Sequence, residues 1–408
     1  MFHGRRRATE KVLVRFVLAE NQGSPRSLQT SLNSKSLSNR SIFISHPLYL
    51  SFSHLSSLLP PPSSSPPSSI MKKSALEEVK NGAFARTDSI HRNFIGSPQY
   101  PTESQRYLLI VSYACPWAHR TLIVRSLLGL EDAIPLAVVH PTWQLTKPDV
   151  DQHSGWVFAA PGDSPIQHPS GNTEFLCDEY CVPPPSSLGW TSVRSVYEAS
   201  SGGSSSNDVK YTVPILWDLK TSTIVNNESS EIIRMLYDSS LFGKFATKNQ
   251  ELQLLPSALT QNIEEINEWV YTQINNGVYK CGFAKTQQAY ETAAHHLQAG
   301  LERANNLLSK SKFLCSQEHL TEADIRLFVT LIRHDEVYCV YFKTNHTRIV
   351  GGNKFPHLVR YMRDMVAIEE VRKTCIMSHI KVHYYTSHPT LNAYGIIPVG
   401  PDVMRSLM

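Results

Sequence analysis

Three short stretches of the 408-residue chain combine residue types that could do chemistry together. The first is Cys115-Pro-Trp-Ala-His-Arg120, which follows the apolar run Tyr107-Leu-Leu-Ile-Val-Ser112. A cysteine between a buried strand and a helix start meets free backbone amides and a partial positive charge, which favour the nucleophilic thiolate. The expected thiol pKa therefore lies below the free value of about 8.5. Ala118 stands where a C-x-x-C motif would place a resolving thiol, so the natural product at Cys115 is a mixed disulfide with an external thiol. A lone cysteine is more often an inert, buried small side chain. The strand–Cys–Pro–helix context is what favours reactivity.

The second stretch is Val213-Pro214. In the cis form, this bond would leave the Val213 N–H and C=O open to pair with an extended peptide ligand. A proline at a sheet edge is the plainer reading of the same residues. The third is Glu228-Ser229, at the start of a helical pattern. Free amides and a serine hydroxyl there suit a carboxylate, and Glu228 suits an ammonium. Together they match a zwitterionic amino-acid head group such as the γ-glutamyl end of glutathione. Alone, the pair reads more simply as an N-cap and nothing further.

The elements that must position these residues follow from the pattern. Residues 107–112 read as a buried strand. Residues 121–128 read as a helix stopped by Gly129, with Pro116 in the first turn, where its missing N–H costs nothing. Residues 134–140 read as a second strand. Residues 141–209 are Pro/Gly/Ser-rich and weakly patterned, and read as a long insertion with a flexible loop over 200–207. Residues 211–218 form a strand interrupted by Pro214, 223–225 a further strand and 231–236 a helix. From about residue 256 the pattern is helical, with Ile263, Ile266, Val270 and Ile274 on one face and another helix near 287–309. Thr321-Glu-Ala-Asp324 is a capping box with Leu320 and Ile325 as its staple. Ile325, Phe328, Val329 and Ile332 then form a core-facing stripe. A small α/β domain followed by an all-helical domain is implied.

The bulk properties agree. Apolar residues make up 41% and charged residues 18% of the chain, enough for two cores. No uncharged apolar run reaches the roughly 18 residues of a membrane span, so no membrane association is expected. Residues 1–70 carry eight Lys/Arg and two acids, and residues 71–408 carry 31 and 33, so the latter are no nucleic-acid binder by charge. Seven cysteines at irregular spacing indicate a reducing compartment rather than a disulfide framework. Residues 1–70 are basic, acid-poor and Ser-rich, and are expected to be disordered. They read either as a transit peptide, giving a plastid location, or as an extension ahead of a start at Met71 in a cytoplasmic protein.

Taken together, these residues resemble the glutathionyl-hydroquinone reductases, the Xi-class glutathione transferases. The likeness rests on Tyr113-Ala-Cys-Pro-Trp-Ala-His-Arg120, Thr212-Val-Pro-Ile-Leu-Trp-Asp218, Ile224-Val-Asn-Asn-Glu-Ser-Ser-Glu-Ile-Ile-Arg-Met-Leu236 and Leu320-Thr-Glu-Ala-Asp-Ile-Arg-Leu-Phe328. Gly277-Val-Tyr-Lys-Cys-Gly-Phe-Ala284 and Gly395-Ile-Ile-Pro-Val-Gly-Pro401 add to it. The resemblance spans about residues 71–405. It implies an α/β thioredoxin-like domain over 71–245, including the long 141–209 insertion, and an all-α glutathione-transferase domain over 246–408. It also implies Cys115 as nucleophile. Glutathione, as co-substrate, would be held by Trp156 of Gly155-Trp-Val-Phe158, Val213, Glu228 and Ser229. Lys210 stands where many members have Arg; it keeps the charge but not the two-pronged geometry. Tyr279 and Tyr338 match tyrosines that line the aromatic-substrate pocket. His334 departs from a usual Phe, and Cys177, Cys181 and Pro183-Pro-Pro185 are unusual in the 160–209 loop. No metal is expected, and a homodimer through the helical domain is.

The implied reaction is glutathione-dependent reduction of S-glutathionyl-hydroquinones through a Cys115–glutathione mixed disulfide, with ping-pong kinetics. A thiol transferase or dehydroascorbate reductase would use the same cysteine. A non-catalytic carrier of aromatic ligands would use the helical-domain cleft and have no need of the thiol.

Overall fold

The computed structural model describes residues 79–80, 82–84, 86–168, 170–171, 173–202, 209–344 and 348–408. The leader expected over 1–70 and most of the loop expected over 200–207 lie outside them.

A four-stranded sheet sits beneath the chemistry. Its central strand is β1 (Tyr107–Val111), buried at all five positions, as an uninterrupted apolar run requires. β1 pairs in parallel with β2 (Leu136–Val138), Leu109 facing Leu136. On its other side it pairs antiparallel with β3 (Ile215–Asp218), where Leu109 faces Leu216. β4 (Thr223–Asn226) completes the sheet antiparallel to β3, giving the order β4-β3-β1-β2. Helix α1 (Pro116–Leu127) joins β1 to β2 and packs against α3 (Ser229–Tyr237). This is the thioredoxin-like arrangement.

The 141–209 insertion carries more structure than its composition suggests. It holds two short ribbons, residues 144–145 with 154–155 and 166–167 with 174–175. It also holds helix α2 (Val193–Ser200), which the sequence reading missed. The Ser192 side chain accepts from the Ser195 N–H, a cap of about 1 kcal/mol. Val193, Val196 and Tyr197 bury one face. Two turns offer too short a stripe to stand out in Ser- and Gly-rich surroundings.

The helical part begins with α4 (Thr260–Trp269), which runs through a π-helical turn at Val270–Asn275 into α5 (Asn276–Phe283). The stripe Ile263, Ile266, Val270 and Ile274 is buried, as its spacing predicts. Next come α6 (Gln287–Leu308) and α7 (Glu322–Arg333), and α7 continues into a second π turn at His334–Tyr338. α8 (Pro356–Ala367) and α9 (Met377–Thr386) follow. The capping box forms: the Asp324 carboxylate accepts from the Thr321 N–H at 2.9 Å and from the Leu314 N–H at 2.8 Å. α7 is buried along its whole length, and α1 is buried at every residue but Arg125, because the two pack on each other between the sheet and the remaining helices. No described helix is long and apolar enough to cross a membrane.

Candidate functional site

Cys115 is the N-cap of α1 and is half-buried. The chain leaves β1, turns at residues 112–114 and enters the helix at Pro116, which leaves Sγ beside free first-turn amides. The thiol donates to the Val213 carbonyl at 3.5 Å. Val213 lies ahead of β3, outside the ladder, and its bond to Pro214 is cis. The electrostatics correct the sequence expectation. Burial pushes the Cys115 thiol above its ordinary value, and the Ala118 and Trp117 amides, Arg86 and Arg333 offset this only in part. The helix N-terminus acts in the expected direction, but desolvation outweighs it.

Glu228 caps α3, its carboxylate accepting from the Ser230 N–H at 3.0 Å and the Ser230 hydroxyl at 2.9 Å. Burial pushes this carboxyl up, but the Ser230 bonds, Arg120 and Arg86 prevail and hold it below the usual range. The buried Ser229 hydroxyl accepts from Arg120 at 3.3 Å. A strap from residues 86–95 lies along this edge: the Ser89 hydroxyl donates to Glu228 at 3.1 Å, and the Asn93 N–H donates to the Val225 carbonyl at 3.0 Å. From this strap Arg86 reaches the Trp117 ring at 4.0 Å, while Arg120 approaches the same ring at 4.4 Å. Sequence reasoning missed Arg86, which precedes every recognisable motif.

Cys115, Trp156, Lys210, Val213 and Tyr279 line one cleft of about 140 Å³. Glu228 and Ser229 lie beside it rather than in its wall. Lys210 donates to the Thr87 hydroxyl at 2.8 Å. The Trp156 ring stacks on His383 at 4.3 Å, and the His383 Nδ1 bonds to the Pro141 carbonyl at 2.9 Å. A carbonyl only accepts, so Nδ1 carries the proton. Burial also keeps the His383 pKa well below its ordinary value, so the ring is neutral at pH 7.

The two tyrosines read from the sequence meet through a third. The Tyr279 hydroxyl is 2.7 Å from that of Tyr384, and the Tyr338 hydroxyl is 3.0 Å from the same oxygen. Tyr279 and Tyr384 line the cleft, whereas Tyr338 is fully buried behind them. Burial raises the pKa of all three, so each hydroxyl stays protonated. Tyr384 and His383 escaped the sequence reading because α9 has no clear apolar stripe and carries no motif. Phe84, also in the wall, sits in a two-stranded hairpin too short to read from pattern.

Among the described residues, two groups bring Asp, His and Cys together: Asp178, Cys181 and His379, and His334, Asp335 and Cys339. In each the histidine and aspartate already bond one another, at 2.8 Å and 3.0 Å. Asp335 also accepts the amides of residues 349–351. The departing His334 is thus engaged in the core behind the site, away from the cleft wall.

Residues 114–239 match the glutathione S-transferase N-terminal domain family. The glutathione S-transferase omega-like 2 of Schizosaccharomyces pombe is 39% identical over 330 residues, covering 79% of this chain and 94% of the relative. The glutathionyl-hydroquinone reductase YqjG of Escherichia coli is 37% identical over 334 residues, covering 78% and 89%. The crystal structure of the Xi glutathione transferase ECM4 of Saccharomyces cerevisiae in complex with glutathione superposes with a TM-score of 0.70 at 35% identity, covering 80% and 99%. The chain belongs to the glutathione transferases and, within them, to the Xi class that includes the glutathionyl-hydroquinone reductases. It is an enzyme of that transferase and oxidoreductase kind.

Proposed function

We propose that the protein reduces S-glutathionyl-hydroquinones to hydroquinones at the expense of glutathione. The observation that carries this reading is the cleft itself. The Cys115 thiol and the paired hydroxyls of Tyr279 and Tyr384 line the same aromatic-walled space.

The Cys115 thiolate attacks the glutathionyl sulfur of the conjugate. The sulfur–carbon bond breaks, its electron pair goes to the ring carbon, and that carbon takes a proton. The aryl group leaves reduced as the hydroquinone, and sulfur is oxidised to the Cys115–glutathione disulfide. A second glutathione, as thiolate, attacks this disulfide and releases oxidised glutathione and Cys115. A ring carbon is a poor leaving group unless charge can move to a ring oxygen. Attack on the keto tautomer allows this, and the hydroxyls of Tyr279 and Tyr384 are the donors that would stabilise the charge on that oxygen, backed by Tyr338. Because Tyr338 is buried, its part is indirect.

Glutathione would lie along the α/β side. Its backbone would pair with Val213, its γ-glutamyl ammonium would meet Glu228, its carboxylate Ser229 and the α3 amides, and its remaining length Trp156 and Lys210. Residues 71–245 would then be the glutathione-binding domain, and residues 246–408 would supply the quinol side and a homodimer surface. The glutathione-bound relative supports the co-substrate.

The test is a substrate panel. Glutathionyl-menadiol, dehydroascorbate and a glutathione mixed disulfide are offered with glutathione, and turnover is compared. Preference for the glutathionyl quinol supports the proposal. Preference for either of the others, or no turnover at all, refutes it.

A further inference from the structure

We propose that Arg333, in the last turn of α7, is a positioning residue for Cys115: it clamps the turn that presents the thiol and supplies a buried positive charge for the thiolate to answer.

Arg333 is fully buried, and its guanidinium is spent on the turn ahead of Cys115. Nε donates to the Ala114 carbonyl at 3.0 Å and Nη2 to the Tyr113 carbonyl at 2.8 Å. The Ala114–Cys115 peptide is thereby held at both ends, because the Cys115 N–H donates to the Ser112 carbonyl at 3.2 Å. A planar fork can hold two adjacent carbonyls in one geometry, and an ammonium cannot.

Nη1 donates to the Val329 carbonyl at 2.6 Å and meets His119 Nδ1 at 3.0 Å. A guanidinium only donates, so His119 Nδ1 accepts and the imidazole proton sits on Nε2, which bonds to the Thr374 hydroxyl at 2.9 Å. Thr374 in turn donates to the Val371 carbonyl at 2.6 Å. Burial and Arg333 both hold the His119 pKa well below its ordinary value, consistent with this neutral tautomer.

Among the described residues, every bonded partner of Arg333 is therefore uncharged. A buried cation with only neutral partners is costly unless an anion shares its environment. The group that becomes anionic on the far side of the clamped turn is Cys115. The charged and titratable groups that act on it come from several elements. Arg86 from the strap and Arg333 from α7 favour the thiolate. The hydroxyls of Tyr279 and Tyr338 feel its charge from the helical side. Arg86 lines the cleft, and Arg333 is the contribution from beneath.

This inference rests on reading Cys115 as the nucleophile, but the alkylation arm of its test needs no quinol. The full chain and its Arg333→Met and Arg333→Lys variants are alkylated with iodoacetamide across pH, and the Cys115 peptide is followed by mass spectrometry. Arg333→Met should raise the alkylation midpoint by about one pH unit, the lower end of the effect of a nearby opposite charge. Arg333→Lys should keep the midpoint within roughly half a unit, because the charge remains. Having lost the fork, it should lower kcat for glutathionyl-menadiol about tenfold with KM for glutathione unchanged. An unshifted midpoint in folded Arg333→Met, or an unchanged kcat in Arg333→Lys, overturns the proposal. Should Arg333→Met fail to fold, Arg333→Lys decides alone. Normal wild-type alkylation with no quinol turnover would instead refute the proposed reaction while leaving the alkylation comparison intact.

Discussion

The hydroxyls of Tyr279 and Tyr384 stand 2.7 Å apart, joining α5 to α9 across the cleft that holds Cys115. Tyr338 joins the same oxygen at 3.0 Å from behind. Three hydroxyls carry three protons, and the two contacts among them use two. One proton remains to be donated, and it can face the cleft.

Tyr384→Phe removes the shared oxygen and leaves the buried Tyr338 hydroxyl without this partner. We expect kcat for a glutathionyl quinol to fall about a hundred- to a thousandfold, in the range seen when one donor to a developing oxyanion is lost. Stability should fall by about 1–2 kcal/mol, the cost of an unpaired buried hydroxyl, measured by denaturant unfolding. Cys115 alkylation should be unaffected. A variant with normal kcat and reduced stability would make the tyrosine cluster purely structural.

The sheet, the order of α/β and helical parts, Cys115 at its helix start and Glu228 at the next were legible because each depends on a local signal. These were an apolar run, a proline in the first turn, or a capping residue before a periodic stripe. Tyr384, His383, Phe84 and Arg86 were not legible. Tertiary packing of distant segments brings them to the cleft, and none carries a local pattern. The expected depression of the Cys115 pKa failed for a related reason. The helix amides are local and visible in sequence, whereas the desolvation that outweighs them comes from segments distant in sequence packed around the thiol. Helix α2 was hidden by composition, and its Ser192 cap with a Val193, Val196 and Tyr197 stripe became visible only in three dimensions.

Glu228→Gln keeps the shape of the α3 cap and removes the charge. A charge-assisted hydrogen bond contributes about 1.5–3 kcal/mol, so KM for glutathione should rise roughly ten- to a hundredfold. Iodoacetamide should alkylate Cys115 at the wild-type rate, since that small reagent needs no γ-glutamyl site. Unchanged KM in steady-state kinetics would remove Glu228 from the glutathione site.

The pH dependence follows from two shifts of opposite sign. Cys115 is raised, so the neutral thiol persists to higher pH and the thiolate fraction grows as pH climbs past the ordinary value of about 8.5. Glu228 is lowered, so it remains ionised at neutral pH, and its contribution is lost only as pH falls below the usual carboxylate range. Between about pH 6 and 9, the single-turnover rate of quinol release should therefore rise steadily with pH. A rate that declines over this interval would contradict that assignment.

The most direct measurement incubates the protein with one equivalent of glutathionyl-menadiol and no free glutathione, then reads released menadiol and the mass of the intact chain together. The account predicts menadiol release matched by one glutathione on Cys115, removed on adding glutathione, with Cys115→Ser giving neither. Menadiol release with no adduct on Cys115, or with glutathione on another cysteine, would contradict it.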